Sequence, residues 1–293
     1  MAIAAAGAGT LPYAQAISAA FVANRGLALG LATVGTGLTT MLLPAFMTPY
    51  AAHAGWRMGF VVLAAIVAIV APLVVLLMRK APQRPKGNLR ASGTANNIGL
   101  ASVLSGRLFW ILASCFGLVM TGIGGIQLHL VSYLSDAGID PVSAGRTAAL
   151  AGVFLLVGRI GTGWLVDRFF APWVAAMAMS LSAASIVGLS LLGAEAGILG
   201  AAAIGLASGA EIDLIGYFTA RCFGLEAYGR IYGIFYAISV GGAGLSVVIY
   251  GRIFDQLGSY AVALHMSAAL LAGSTLLFLM LGWFERSSVR ARP

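Results

Sequence analysis

Apolar runs of about 20 residues recur along the whole chain, with charged residues gathered mostly at their ends. A helix of that length crosses the roughly 30 Å hydrocarbon layer of a bilayer, since each residue adds about 1.5 Å. In lipid every backbone amide has to be satisfied within the spanning structure, which leaves helices or a closed barrel. A barrel would alternate polar and apolar residues at period two, and no such alternation occurs here. An all-α integral membrane protein is therefore expected. With 60% hydrophobic and only 9% charged residues, the chain falls far from the roughly 25% charge of soluble domains. Its 39 glycines suit helices packed backbone to backbone.

About nine transmembrane helices are expected, near 3–23, 27–50, 57–78, 108–134, 145–166, 173–193, 197–219, 230–253 and 260–284. The first, with Pro12, Tyr13, Gln15 and Ser18, reads as lining something polar. Lys and Arg in the loops set orientation. One side holds Arg25, Arg79, Lys80, Arg84, Lys86, Arg90, Arg107, Arg168, Arg221, Arg230, Arg286, Arg290 and Arg292, thirteen in all. The other holds Arg57, Arg146 and Arg252, three. The basic side is expected to be cytoplasmic, with the C-terminus inside the cell membrane. The net charge of +8 is thus a topology signal and does not point to nucleic acid. Cys115 and Cys222 sit in or beside apolar runs and read as small hydrophobes without a disulfide. The N-terminal residues lack a basic n-region, so no cleavable signal peptide is expected.

Residues 79–106 are the one long polar stretch, rich in Pro, Gly, Asn and Ser with five basic residues, and read as a cytoplasmic linker. They divide a front part, 1–78, with three expected helices, from 107–286 with six; 287–293 form a tail. A repeat relates the two parts. Gly26, Gly30 and Gly55 recur as Gly229, Gly233 and Gly258, each 203 residues later (229−26, 233−30, 258−55). The second and third spans therefore correspond to the eighth and ninth, and the front part is three helices short of the six that follow the linker. If the halves were once equal, the expected parent arrangement is six plus six, with three plus six in this chain.

Parallel six-helix halves joined by a cytoplasmic linker resemble the major facilitator superfamily. Gly163-Trp164-Leu165-Val166-Asp167-Arg168 is similar to that family's G-x-x-x-D-R loop motif, with the trailing G-R-R replaced by Phe169, Phe170, Ala171 and Pro172. Within the family, PYAQAIS at 12–18, NRGLALG at 24–30, GWR at 55–57, GRIGTGWLVDR at 158–168, GAEIDL at 209–214, FGLEAYGRIYG at 223–233 and FDQLGSY at 254–260 resemble the monocarboxylate-porter and oxalate–formate-antiporter branch. The resemblance implies a major-facilitator-like bundle whose Gly163, Asp167 and Arg168 latch a cytoplasmic conformation, the Asp sitting at a helix end and pairing with basic groups. It also implies that Arg159 binds a substrate carboxylate, a task suited to a planar, permanently charged guanidinium. The last six helices contain no lysine, so the second embedded cation of oxalate–formate relatives is missing, which favours a monoanion.

Glu211 and Asp213 lie in the apolar run 201–221, where an ionised acid at mid-depth costs on the order of 2.5–3.5 kcal/mol without a partner. Arg159 lies eight residues before Asp167, and Asp213 eight before Arg221. That places arginine and acids level, about 12 Å from the cytoplasmic end. Residues two apart point about 200° from each other, so only one acid is expected to face the cavity and the other a helix contact. Burial raises a carboxyl's pKa and a guanidinium lowers it, a tension that would couple protonation to substrate binding. The alternative is a static ion pair pinning two helices. Tyr13, Gln15 and Gln127 are candidate substrate contacts, and His129 a further proton site.

The expected function is secondary transport of a small organic anion, coupled to protons. The expected partners are that anion, a proton and the lipid bilayer, without cofactor or metal. The second reading is a truncated remnant that does not transport. An enzyme is not expected: H-E-x-x-H, G-x-G-D and G-x-S-G are all absent from the sequence.

Overall fold

The computed structural model describes residues 14–15, 17–18, 21, 24–79 and 100–290. Among these the regular structure is helical: α1 (Arg25–Ala54), α2 (Trp56–Arg79), the short α3 (Leu100–Leu104), α4 (Arg107–Asp136), α5 (Pro141–Arg168), α6 (Ala171–Leu192), a 3-10 turn (Ala194–Ala196), α7 (Gly197–Phe223), α8 (Tyr228–Leu257) and α9 (Ala261–Arg290). Six of them, α4 to α9, are long and apolar enough to cross a membrane; α2 carries a shorter apolar stretch, Arg57–Pro72. Each expected span from the second to the ninth coincides with one long helix. The first lies almost wholly outside the described residues, as does most of the linker. α9 runs on to Arg290, past the expected end of its span.

Local chemistry explains the boundaries. Asp140 caps α5, its carboxylate accepting from the Val142 and Ser143 amides at 3.1 and 3.0 Å, with Pro141 in the first turn. The Ser143 hydroxyl and amide, bonded to that carboxylate outside the span, hold Asp140 below the usual range. α8 ends at Gly258, whose φ of +62° lets its amide reach back to Phe254 O at 2.8 Å. α1 ends at Gly55, with φ of +83°.

The structure divides into two compact units, Met1–Met41 with Leu100–Pro293, and Leu42–Gly99. In the smaller, the end of α1 and α2 expose Phe46, Phe60, Val67 and Ile69. In the larger, α7 is buried along most of its length, with α4, α5, α6 and α8 against it. Phenylalanines fill the space between α4, α7, α8 and α9: Phe109 stacks on Phe235 at 5.1 Å and Phe218 on Phe278 at 5.9 Å. The outer faces present Trp110, Leu128, Leu181, Leu191, Leu245 and Leu276. A contiguous apolar surface like this is a liability in water and suits lipid.

Small residues set the closest approaches. A Cβ on Gly209 would stand 2.5 Å from Leu155 O, one on Gly158 2.9 Å from Leu206 O, and one on Gly205 would strike Ala151 O. α5 and α7 therefore touch backbone to backbone along this ridge. α4 and α8 do the same where Gly124 meets Ala243.

Candidate functional site

The ridge that joins α5 to α7 carries the site. Residues 205, 209, 213 and 217 recur every four positions, so they share one face of α7. Gly205 and Gly209 let the helices close, and the Tyr217 hydroxyl donates to Val166 O at 3.2 Å. Between them Asp213 meets Arg159, with Nη1 to Oδ1 at 3.4 Å. Both side chains are buried, 2% and 4% exposed. The level inferred from sequence, eight residues from each helix's C-terminal end, is thus matched by a direct contact.

α1 closes the third side. A Cβ on Gly30 would lie 2.8 Å from Arg159 O. One turn on, the Thr33 hydroxyl lies 3.1 Å from Asp213 Oδ1, 2.9 Å from Leu29 O and 3.1 Å from Gly30 O. Its single proton serves one of these at a time, so the bond to Asp213 is one of three choices.

Glu211 turns away from this pair. The Ser239 hydroxyl of α8 donates to its Oε1 at 2.6 Å, and its carboxyl is 1% exposed. One acid therefore meets the arginine and the other a neighbouring helix, the division that the 200° offset demands. Polar capacity is left over: Arg159 Nε, Asp213 Oδ2, Glu211 Oε2, Ser208 Oγ and Tyr228 Oη are buried without a partner among the described residues. Each such atom is costly in a low-dielectric interior unless a ligand, water or proton uses it.

At the C-terminal end of α5, Asp167 accepts from the Gly26 and Leu27 amides, both at 2.8 Å. Gly163 lies against Gly26 so closely that a Cβ on it would stand 2.5 Å from Gly26 O. The loop motif was expected to put its Asp at a helix end, paired with basic groups. It does sit at a helix end, but the groups it takes are orphan amides in the first turn of α1, where the helix dipole favours an anion. Arg168 is exposed and lies over the Trp164 ring, 4.1 Å from its centroid.

The other expected residues fall elsewhere. Gln127 is exposed on α4. His129 joins an aromatic cluster, 5.7 Å from the Tyr250 and Tyr260 rings, with Nδ1 2.9 Å from Gly125 O. Gln15 is half-buried, and Tyr13 lies outside the described residues. Thr33 and Ser239 were not singled out from sequence, because a lone hydroxyl in an apolar helix is usually spent on its own backbone.

The Major Facilitator Superfamily profile matches residues 1–247. Monocarboxylate transporter 13 of Bos taurus is 28% identical over 292 residues, covering 96% of this chain and 66% of that protein. Monocarboxylate transporter 11 of Homo sapiens is 26% identical over 283 residues, covering 92% of this chain and 59% of that protein. The chain thus spans about two thirds or less of these relatives' length. The crystal structure of the E. coli fucose:proton symporter FucP matches with a TM-score of 0.69 at 15% identity, covering 88% of this chain and 69% of that one.

Proposed function

Because the chain belongs to the Major Facilitator Superfamily, we propose that it is a secondary transporter of a small monocarboxylate-like anion, coupled to protons and working by alternating access across the cell membrane. The observation that carries this reading is the Arg159–Asp213 pair. The guanidinium is buried, yet it meets Asp213 at a long 3.4 Å and leaves Nε without a partner. A guanidinium offers five donors in a fixed fork, and a carboxylate takes two of them in parallel. The donors that Asp213 leaves unused can therefore take an incoming carboxylate while Asp213 stays on Nη1.

Names of relatives support the substrate class: several are monocarboxylate transporters. The structural neighbour FucP is a proton symporter, and proton coupling here is assigned to the two acids of α7. Tyr13 and Gln15 complete the substrate contacts in this reading; Gln127 and His129 stand apart from the pair. Asp167, Gly163 and Gly26 form a latch between α5 and α1 that breaks and reforms in the cycle, with Arg168 beside it. The C-terminus lies in the cytoplasm, on the side that holds most Lys and Arg.

The test is uptake of labelled lactate into vesicles containing the full chain. Arg159→Ala is expected to abolish uptake while leaving membrane insertion and the detergent elution profile intact. Uptake retained by that variant would remove Arg159 from the site.

A further inference from the structure

Glu211 and Asp213 belong to one helix and lie two residues apart, yet their surroundings differ in a way that assigns each a task. Asp213 has a cation, Arg159, and a hydroxyl, Thr33. Arg159 and Asp213 cancel each other's charge. Glu211 has one neutral hydroxyl, Ser239, at 2.6 Å on Oε1, and among the described residues nothing on Oε2.

The elements packed against α7 supply no further cation at this depth among the described residues. α6 carries no ionisable residue at all. On α5 the remaining charges, Arg146, Asp167 and Arg168, stand near its ends. On α4 the ionisable groups are Arg107 at the start, Cys115 midway, and His129, Tyr133 and Asp136 toward the far end. α8 presents Tyr228, Arg230, Tyr232 and Tyr236 in its first turns and Tyr250, Arg252 and Asp255 toward its other end, more than two turns from Ser239, and α1 presents Arg25 at its first residue. A third charge in this interior would stand unbalanced, which a buried acid avoids by holding a proton.

We propose that Glu211 carries the transported proton, that Asp213 is the standing counter-ion of Arg159, and that Ser239 is the positioning residue holding the acid against α8. The inference rests on the proton-coupled reading above and divides its labour. The proton sits on Oε2, where no acceptor competes for it. When α8 moves relative to α7, Ser239 leaves Oε1 and water reaches the carboxyl. The proton passes to that water as hydronium and leaves a carboxylate, which takes a proton from the opposite side after the site has turned. Occupancy of Glu211 is thereby tied to the position of one helix, while the substrate charge is handled one face away.

Infrared spectra of the full chain in lipid vesicles test the protonation directly. A protonated-carboxyl band is expected at neutral pH, shifted by 13C-glutamate labelling, and lost in Glu211→Gln. Ser239→Ala should keep the band but move it to higher frequency, because the carbonyl loses its donor; Ser239→Thr should restore it. A wild-type spectrum without a glutamate band, or one that Glu211→Gln leaves unchanged, overturns the assignment.

Labelled lactate supplies the transport arm. Glu211→Gln should lose accumulation driven by a pH gradient while exchange of labelled for unlabelled lactate persists; Arg159→Ala should lose both. Gradient-driven accumulation by Glu211→Gln would also overturn the assignment. A wild-type chain that moves no lactate in either mode sinks the transport reading instead, and the infrared arm still decides the state of Glu211.

Discussion

α1 and α8 are the same helix twice in backbone terms, and they are used in opposite ways. Each has 30 residues, their starts differ by 203 (228−25) and their ends by 203 (257−54), and each stops at a glycine of positive φ, Gly55 or Gly258. The repeat read from three glycines thus extends to both boundaries of the element. Environment is where the copies part. Gly26 is pressed onto Gly163, with Asp167 on the amides beside it. At Gly229, its counterpart, no described atom comes within 4 Å of where a Cβ would stand. Thr33 reaches Asp213, whereas its counterpart Tyr236 (33+203) is 42% exposed. A repeated sequence fixes a helix's length and its stops; what the helix touches decides whether its small residues are structural.

The largest expected contrast is at the paired glycines. Gly26→Leu drives a side chain into the α5 backbone and should cost roughly 3 kcal/mol, read as a clear drop in melting temperature. Gly229→Leu should be neutral or stabilising by up to about 1 kcal/mol, since leucine is the better helix former. Thermal melts in detergent compare the two, and equal damage would break the contrast.

Next is the cap that only one copy has. Asp167→Ala leaves two amides of α1 unpaired and should destabilise by about 1–2 kcal/mol. If the latch governs the cycle, transport falls further than the lost stability explains, which a ratio of uptake to folded protein in the membrane would reveal.

Thr33→Val should cost about 1 kcal/mol, in keeping with interhelical hydrogen bonds in membranes, and should weaken uptake. Tyr236→Phe should leave both stability and uptake as they are. A stronger effect at Tyr236 than at Thr33 would reverse the assignment of roles.

The smallest effect concerns a cap that α5 provides for itself. Folding lowers the Asp140 pKa, so its contribution is present above the unfolded value of about 3.9 and fades as pH falls through the folded one. Asp140→Ala should melt slightly earlier than wild type at pH 7, and the two curves should converge on acidification.

Much of this is legible in the sequence. The all-helical bundle followed from apolar runs, and its likeness to the major facilitator superfamily from the resemblance of the linked halves and of the Gly163–Arg168 loop motif. The level of Arg159 and Asp213 followed from counting eight residues back from the C-terminal end of each helix. The parting of Glu211 from Asp213 followed from helix angle alone, although angle could not say which acid would meet the arginine; that depended on where α5 and α8 stand around α7. Ser239 and Thr33 stayed hidden because their partners lie 28 and 180 residues away, and a hydroxyl carries no sign of which helix it will face. Asp167 was placed at a helix end, but its real partners, the backbone amides of α1, carry no side-chain signature in sequence.

The glycine ridge between α5 and α7 has a bearing on how such a chain can change over generations. Where backbones touch, no side chain stands between Arg159 and Asp213 to be trimmed or enlarged. Their separation is therefore out of reach of the stepwise hydrophobic swaps by which most binding sites drift. With the pair as the proposed substrate site, a lineage carrying this ridge would acquire a new substrate by exchanging the polar groups themselves or by altering the helices opposite, so its diversity should be found there while the ridge stays fixed.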